Sequence, residues 1–279
     1  MGAIRFSKLS GSGNDFILID NRSGMIDADR CRDLVRMSCR HKFSVGADGL
    51  ILIENDPEVD FRWRFFNADG SEAEMCGNGA RCAARFAYLN GIVDKSNMAF
   101  RTLAGVIEAE ILGERVRIQT TPPRDLMLNL TVQSDGRTFL VHFINTGVPH
   151  VVVVLNSVAD LEITEVFRWG RALRYHDHFQ PAGTNVNFIA VRDNQHLVVR
   201  TYERGVEDET LACGTGAIAS ALIAAAHQRV TAPTQVQTHS QETLTIHFRQ
   251  QGLEFTDVRL EGAAKVVYEA RLWDETLYS

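Results

Sequence analysis

Cys76-Gly77-Asn78-Gly79-Ala80 and Cys213-Gly214-Thr215-Gly216-Ala217 are the two stretches on which the reading of this chain turns. Each follows an aromatic strand end and a polar loop, Phe66-Asn67-Ala68-Asp69-Gly70-Ser71-Glu72 in the first case and Tyr202-Glu203-Arg204-Gly205 in the second. Each then opens a helical run. The two cysteines stand 137 positions apart (213 minus 76), close to half of the 279 residues. Self-similarity at that distance predicts a duplicated domain with one cysteine at each matching place.

Around these turns the chain reads as α+β and strand-rich. Phe16 to Asp20, Leu50 to Glu54, Val151 to Leu155, Asn187 to Val191, Leu197 to Tyr202, Leu244 to Phe248 and Lys265 to Leu272 are short runs of β-branched, aromatic and aliphatic residues that predict strands. Phe61-Arg62-Trp63-Arg64-Phe65 alternates apolar and basic side chains, so one face packs and the other meets water or a site. Asp27 is the expected N-cap of a helix through Leu34 and Met37, and a second amphipathic helix runs from Thr164 to about Leu173. Ala217 to Ala226 is apolar nearly all round, the pattern of a helix enclosed by sheet. Pro122-Pro123 marks the expected boundary between the halves.

Composition narrows the function. A content of 45% hydrophobic and 23% charged residues is that of a globular protein, and a net charge of -6 with no long basic run argues against a nucleic-acid partner. No apolar stretch approaches the roughly 20 residues of a membrane span, so a soluble protein without a membrane partner is expected. Five cysteines without a Cys-x-x-Cys pair point to a reducing cytoplasm. A zinc site lacks the short spacings it needs, and His176-Asp177-His178 reads as a polar loop, so no metal is expected.

In a Cys-Gly-x-Gly turn at a helix start, glycine lets the backbone bend tightly, and the free N–H groups with the helix dipole form an anion site. A thiol there is expected to ionise more readily than free cysteine. Two such turns facing each other across a cleft would put two thiols on either side of one α-carboxylate. That is the requirement of stereoinversion: a thiolate removes the α-proton on one face and a thiol supplies another on the opposite face. No lysine stands in an evident pyridoxal-phosphate context and no dinucleotide fingerprint follows a strand, so the expected mechanism uses no cofactor. Cys31, Cys39 and Cys82 read as buried structural thiols.

Taken in order, Gly13-Asn14-Asp15-Phe16, Gly46-Ala47-Asp48-Gly49-Leu50, the segment from Phe66 to Ser71, the segment from Met75 to Cys82, Gly183-Thr184-Asn185-Val186-Asn187-Phe188, Glu203-Arg204-Gly205 and the segment from Ala212 to Ala217 resemble the diaminopimelate epimerases over nearly the whole chain. The resemblance implies a cofactor-independent epimerase of LL- and meso-2,6-diaminoheptanedioate, serving lysine and peptidoglycan synthesis. It implies two similar pseudo-symmetric lobes, each a curled mixed sheet around a central helix, with residues 1–121 and 263–279 in one and 122–262 in the other, and the active site in the cleft between them. Carried over, Cys76 and Cys213 are the acid/base thiols, and the N–H groups around Gly77, Asn78, Gly214 and Thr215 hold the reacting carboxylate. Asn14, Asn67, Asn185, Glu203 and Arg204 hold the distal amino-acid end, and His150 with Glu203 tunes the thiols.

The chain departs from the family pattern at Val148, where asparagine is usual, and in a Glu203 to Cys213 loop one residue longer than usual. Three other readings compete: a proline or hydroxyproline racemase of the same fold, which normally has histidine where Asn78 stands; a thiol redox protein; and a non-catalytic amino-acid-binding protein, which would not need both thiols. A homodimer is expected because symmetric assembly is common.

Overall fold

A computed structural model describes residues 3–273 and residue 275. The chain divides into two compact units, one reaching to Ile118 and resuming at Gly262, the other spanning Gln119–Glu261. Strand-forming sequence in the first unit produces β1 (Ile4–Gly11), β2 (Asn14–Asp20), β3 (Gly49–Glu54), β4 (Phe61–Asn67), β5 (Glu72–Ala73), β6 (Asn97–Thr102), β7 (Gly105–Leu112) and β8 (Arg115–Gln119), with α1 (Ala28–Ser38) and α2 (Gly77–Leu89). The second unit has β9 (Arg124–Ser134), β10 (Arg137–Asn145), β11 (Pro149–Leu155), β12 (Asn185–Val191), β13 (His196–Glu203), β14 (Asp208–Thr210), β15 (Thr234–Gln237), β16 (Thr243–Gln251) and β17 (Glu254–Ala263), with α3 (Val158–Glu162), α4 (Val166–Arg174) and α5 (Gly214–Ala226). The chain ends its described strands with β18 (Lys265–Leu272), which pairs with β1.

The duplication is explicit in the pairing. From β1 to β8 the first sheet runs antiparallel β1–β2, parallel β2–β3, antiparallel β3–β4, parallel β4–β6 and antiparallel β6–β7–β8. The second repeats that order in β10–β11, β11–β12, β12–β13, β13–β15 and β15–β16–β17. Ile51 faces Phe65 across β3 and β4, and Asn187 faces Thr201 across β12 and β13, at matching lattice positions. The fold is therefore a mixed-sheet α+β architecture built twice.

Each sheet closes around one helix, which in α5 is apolar on nearly every side and in α2 is lined mainly with small residues. α5 packs against β10, β11, β12, β13, β15 and β16, and Gly216 through Ala225 are buried. Ser220 interrupts the apolar run without cost, since its hydroxyl donates to the Gly216 carbonyl at 2.6 Å. α2 packs against β1, β2, β3 and β7 and buries Ala80, Cys82, Ala83, Ala84 and Ala87, whose small side chains allow close approach. Amphipathic helices cover the outer faces. α1 begins at Asp27, whose carboxylate accepts the Arg30 N–H at 3.0 Å, and buries Cys31, Leu34 and Val35 against Ile17 and Leu52. Helix α4 starts at Val166 rather than at Thr164, which donates its hydroxyl to the Asp160 carbonyl and so closes α3. Along β4, Phe61, Trp63 and Phe65 are buried, whereas Arg62 is exposed and Arg64 forms a bidentate pair with Glu72 at 2.9 and 3.1 Å.

A histidine pair gives the second unit a pH dependence. His142, 3% exposed on β10, accepts the Asn129 N–H at Nδ1, and the same nitrogen lies 3.1 Å from His227 Nε2. Burial, then the nearby His227 and Arg229, push His142 down to about 4 from 6.5. Because the folded state holds it neutral, this contribution is complete above pH 6.5 and is lost as pH falls towards 4, where the unfolded chain binds the extra proton. We expect urea unfolding to show a fall of up to about 3 kcal/mol across that window, flattened in His142→Gln. Equal slopes for the two proteins would refute the assignment.

Candidate active site

In the first unit, Cys76 sits at the N-cap of α2 with extended backbone angles, φ −145° and ψ 117°. Its sulfur accepts the Gly79 N–H at 3.5 Å, and its carbonyl accepts the Ala80 N–H at 2.8 Å. The first-turn N–H groups of Gly77 and Asn78 remain at the positive end of the helix, beside a half-buried thiol. Gly79 has a steric role too: a Cβ there would come within 3.2 Å of Ile51 Cδ1.

The same turn is tied to other predicted residues. Asn78 donates to Asn14 Oδ1 at 2.8 Å, Asn14 donates to Asp48 at 2.9 Å, and Arg81, fully buried, donates to Asn78 Oδ1 at 3.0 Å and to the Ser12 hydroxyl at 2.6 Å. Asn67 lies at the exposed end of β4 and donates to the Ser71 hydroxyl at 3.1 Å. Asn14, Cys76, Gly77 and Asn78 are thus brought together by one network, while Asn67 is held separately in the β4–β5 turn.

The second unit builds the corresponding turn. Cys213 caps α5 with φ −125° and ψ 112°, and its sulfur accepts the Gly216 N–H at 3.4 Å and lies 3.5 Å from the Thr215 hydroxyl. Thr146 donates to the Thr215 carbonyl at 3.1 Å and pins the turn to the end of β10. The expectation of an easily ionised thiol fails at Cys213. Burial, followed by the charge of Glu203, pushes this thiol up to about 12, against the lowering by Thr215 and Gly216. At neutral pH Cys213 therefore carries its proton. Glu203 is itself raised by burial.

The remaining predicted residues of this unit lie at the ends of β11, β12 and β13. Asn185 accepts the Arg204 N–H at 2.9 Å and donates to the Pro149 carbonyl at 3.0 Å, joining the ends of β11, β12 and β13. One guanidinium nitrogen of Arg204 donates to the Ala182 carbonyl at 2.7 Å. His150 is fully buried, and burial followed by Arg204 pushes it down to about 3. The longer loop is firmly tied: Glu207 accepts from Arg174 at 3.1 Å, from the Tyr202 hydroxyl at 3.3 Å and from the Gly205 N–H at 3.0 Å. Asp208 to Thr210 form β14, with Glu209 clamped on Arg200 by two 2.7 Å bonds. Val148 is half-buried in the turn before β11.

Sequence reasoning passed over Arg81, Asp48, Asn187 and Thr201. Arg81, Asp48 and Asn187 lay inside quoted motifs, and for Arg81, Asn187 and Thr201 the available signal was polarity at positions that periodicity places in the core. Among the described residues no cluster of three or more His, Cys, Asp or Glu is arranged to hold a metal ion. His176 uses its ring on the His178 N–H and the Gln133 carbonyl.

A family model described as diaminopimelate epimerase matches residues 6–125 and 142–267. The chain belongs to the diaminopimelate epimerase family. It is 50% identical to a diaminopimelate epimerase of Aquifex aeolicus over 98% of this chain and 99% of the relative, and 41% identical to one of Chlorobaculum tepidum over 95% and 99%. Solved structures share the fold at low identity. A phenazine biosynthesis protein of the PhzF family from Bacillus anthracis is similar with TM-score 0.71, 14% identity and coverage of 98% of this chain and 100% of its own. A hydroxyproline epimerase from Agrobacterium vitis, solved with trans-4-hydroxy-L-proline, gives 0.68, 14%, 97% and 92%. The family makes the protein an isomerase of the lysine-biosynthetic class, and no helix among the described residues is long and apolar enough to cross a membrane.

Proposed function

We propose that the protein interconverts LL- and meso-2,6-diaminoheptanedioate by a two-base mechanism that uses Cys76 and Cys213 and no cofactor. The observation that carries this reading is the repeated turn: each unit presents one thiol at the N-terminus of its enclosed helix, beside the backbone N–H groups of the first turn. One thiolate takes the α-hydrogen as a proton, leaving its electron pair on the α-carbon, and the other thiol gives a proton to the opposite face. The carbanion's charge spreads onto the carboxylate, which the N–H groups of Gly77, Asn78, Gly214 and Thr215 receive. Each such donor is worth about 3 kcal/mol by analogy with oxyanion holes. Protonated Cys213 suits the donor role when its counterpart starts as thiolate. Asn14, Asn67, Asn185, Glu203 and Arg204 orient the distal amino-acid end, and His150 supports the second thiol.

The test is α-hydrogen exchange in deuterated water under reducing conditions, with LL-diaminoheptanedioate and proline offered separately. Deuterium uptake at the α-carbon together with the meso isomer is expected for the first substrate only. Exchange of proline alone would move the substrate to the racemase class, and exchange of neither would end the epimerase reading. We further propose a cytoplasmic location, which the five cysteines without a Cys-x-x-Cys pair support. We also propose a homodimer, since symmetric pairing is the commonest assembly and β18 exposes Val266, Val267 and Tyr268. Light scattering is expected to give twice the 31.1 kDa chain mass, and a monomer mass would refute it.

A further inference from the structure

Below the Cys213 turn a polar ladder crosses three strands. Thr201 on β13 donates its hydroxyl to Asn187 Oδ1 on β12 at 3.0 Å. Asn187 Nδ2 lies 2.9 Å from the Val151 carbonyl and 3.0 Å from His150 Nδ1 on β11. All three side chains are buried, Asn187 and His150 completely.

These contacts fix the proton inventory without ambiguity. The Val151 carbonyl can only accept, so the amide atom facing it is the NH2 group, and Thr201 donates to the oxygen. The second amide hydrogen then points at His150 Nδ1, which must present a lone pair. The ring proton therefore sits on Nε2, a buried nitrogen that meets no acceptor among the described residues. Burial and the positive charge of Arg204 oppose a second proton on the ring.

The first unit demonstrates that the fold does not require this ladder. At the matching lattice positions under the Cys76 helix stand Phe16, Ile51 and Phe65, all buried, with the two phenyl rings 5.8 Å apart. A Cβ at Gly79 would meet Ile51 Cδ1 at 3.2 Å, and a Cβ at the corresponding Gly216 would meet Asn187 Oδ1 at 2.4 Å and the Cys213 sulfur at 3.3 Å. An apolar trio satisfies the packing in one unit. In the other, three polar side chains are desolvated in the same places, Asn187 directly against the thiol turn, a cost that packing alone does not explain.

We propose that Asn187, backed by Thr201 and packed against Gly216 of the Cys213 turn, is a positioning residue for the reaction: its carboxamide fixes His150 as the neutral tautomer that donates from Nε2. The inference rests on the epimerase reading for its catalytic consequence. In this arrangement His150 supplies a hydrogen bond to an anionic sulfur or oxygen and is not a third proton acceptor. Proton exchange is thereby left to the thiols.

The test uses the full-length, substrate-free protein labelled with 15N-histidine, with His150 assigned through His150→Gln. Two-bond 1H–15N spectra at neutral pH are expected to show a pyridine-like Nδ1 and a protonated Nε2. In the isosteric Asn187→Asp, the carboxylate accepts where the amide donated, so Nδ1 becomes protonated, and kcat for epimerisation falls about 100-fold with KM nearly unchanged. Thr201→Val is expected to lower kcat about 10-fold and Thr201→Ser to restore it, which keeps the test decisive if Asn187→Asp folds poorly. A wild-type ring protonated at Nδ1, or an unchanged tautomer and kcat in Asn187→Asp, overturns the proposal. Failure of the wild type to epimerise diaminoheptanedioate would instead count against the epimerase reading, because the spectra decide the tautomer without substrate.

Discussion

Cys76→Ser and Cys213→Ser, made singly, are each expected to lower kcat/KM for epimerisation about 1,000-fold or more, the range set by removing a positioned acid or base. Serine keeps the shape of the turn, because a hydroxyl at an N-cap accepts the N–H two or three residues on as well as sulfur does, here from Gly79 or Gly216. Stability should therefore be unchanged or slightly higher, so lost activity reports the chemistry of sulfur and not unfolding. A serine hydroxyl is far less acidic than a thiol and does not form the anion that the α-proton requires. Both substitutions matter equally in a two-base reaction, since inversion needs a proton removed on one face and another supplied on the opposite one. A variant that keeps more than a tenth of wild-type kcat/KM would show that its sulfur does not carry a proton in the reaction.

Arg81→Met is expected to destabilise the protein by about 3–5 kcal/mol in urea unfolding and to raise KM. Replacing a buried ion by an apolar side chain is often neutral when its partners leave with it. Here they stay. The guanidinium donates to Ser12 Oγ, Asn78 Oδ1, the Gly77 carbonyl and the Ala263 carbonyl, at 2.6, 3.0, 3.3 and 3.4 Å, and methionine would leave the buried Ser12 and Asn78 acceptors and the two half-buried carbonyls without this donor. The loss propagates because Asn78 is the link from Arg81 to Asn14 and Asp48. The corresponding position in the second unit is Ile218, 1% exposed, which works there because the turn carries Thr215, tied by Thr146, in place of asparagine. A loss below about 1 kcal/mol would mean that the network relaxes around an apolar replacement.

Much of the architecture was legible in the chain. The duplication, the enclosed Ala217 to Ala226 helix, the Asp27 cap and the strand runs all rest on local signals: glycine turns, period-2 patterns and a capping carboxylate, which act within a few residues. The two thiol turns were equally visible, because the geometry of a helix N-terminus depends on its own first turn. What escaped was set by neighbours far along the chain. Asn187 appears in sequence as one polar residue in a strand, and only its pairing opposite Thr201 and its offset from His150 on a parallel strand give it a role. The state of Cys213 escaped for the same reason. A helix N-terminus lowers a thiol's pKa, but burial and the approach of Glu203 from β13 outweigh it, and neither quantity can be read from the motif.

The sequence by itself determined that the chain is a repeated α+β fold with paired cysteine turns, since periodicity and turn chemistry are properties of short segments. Only the tertiary structure decided that one unit floors its turn with Phe16, Ile51 and Phe65 while the other uses His150, Asn187 and Thr201. Desolvation and hydrogen-bond partnership depend on what the rest of the chain brings within a few ångströms, and that is fixed only when the sheet closes around its helix.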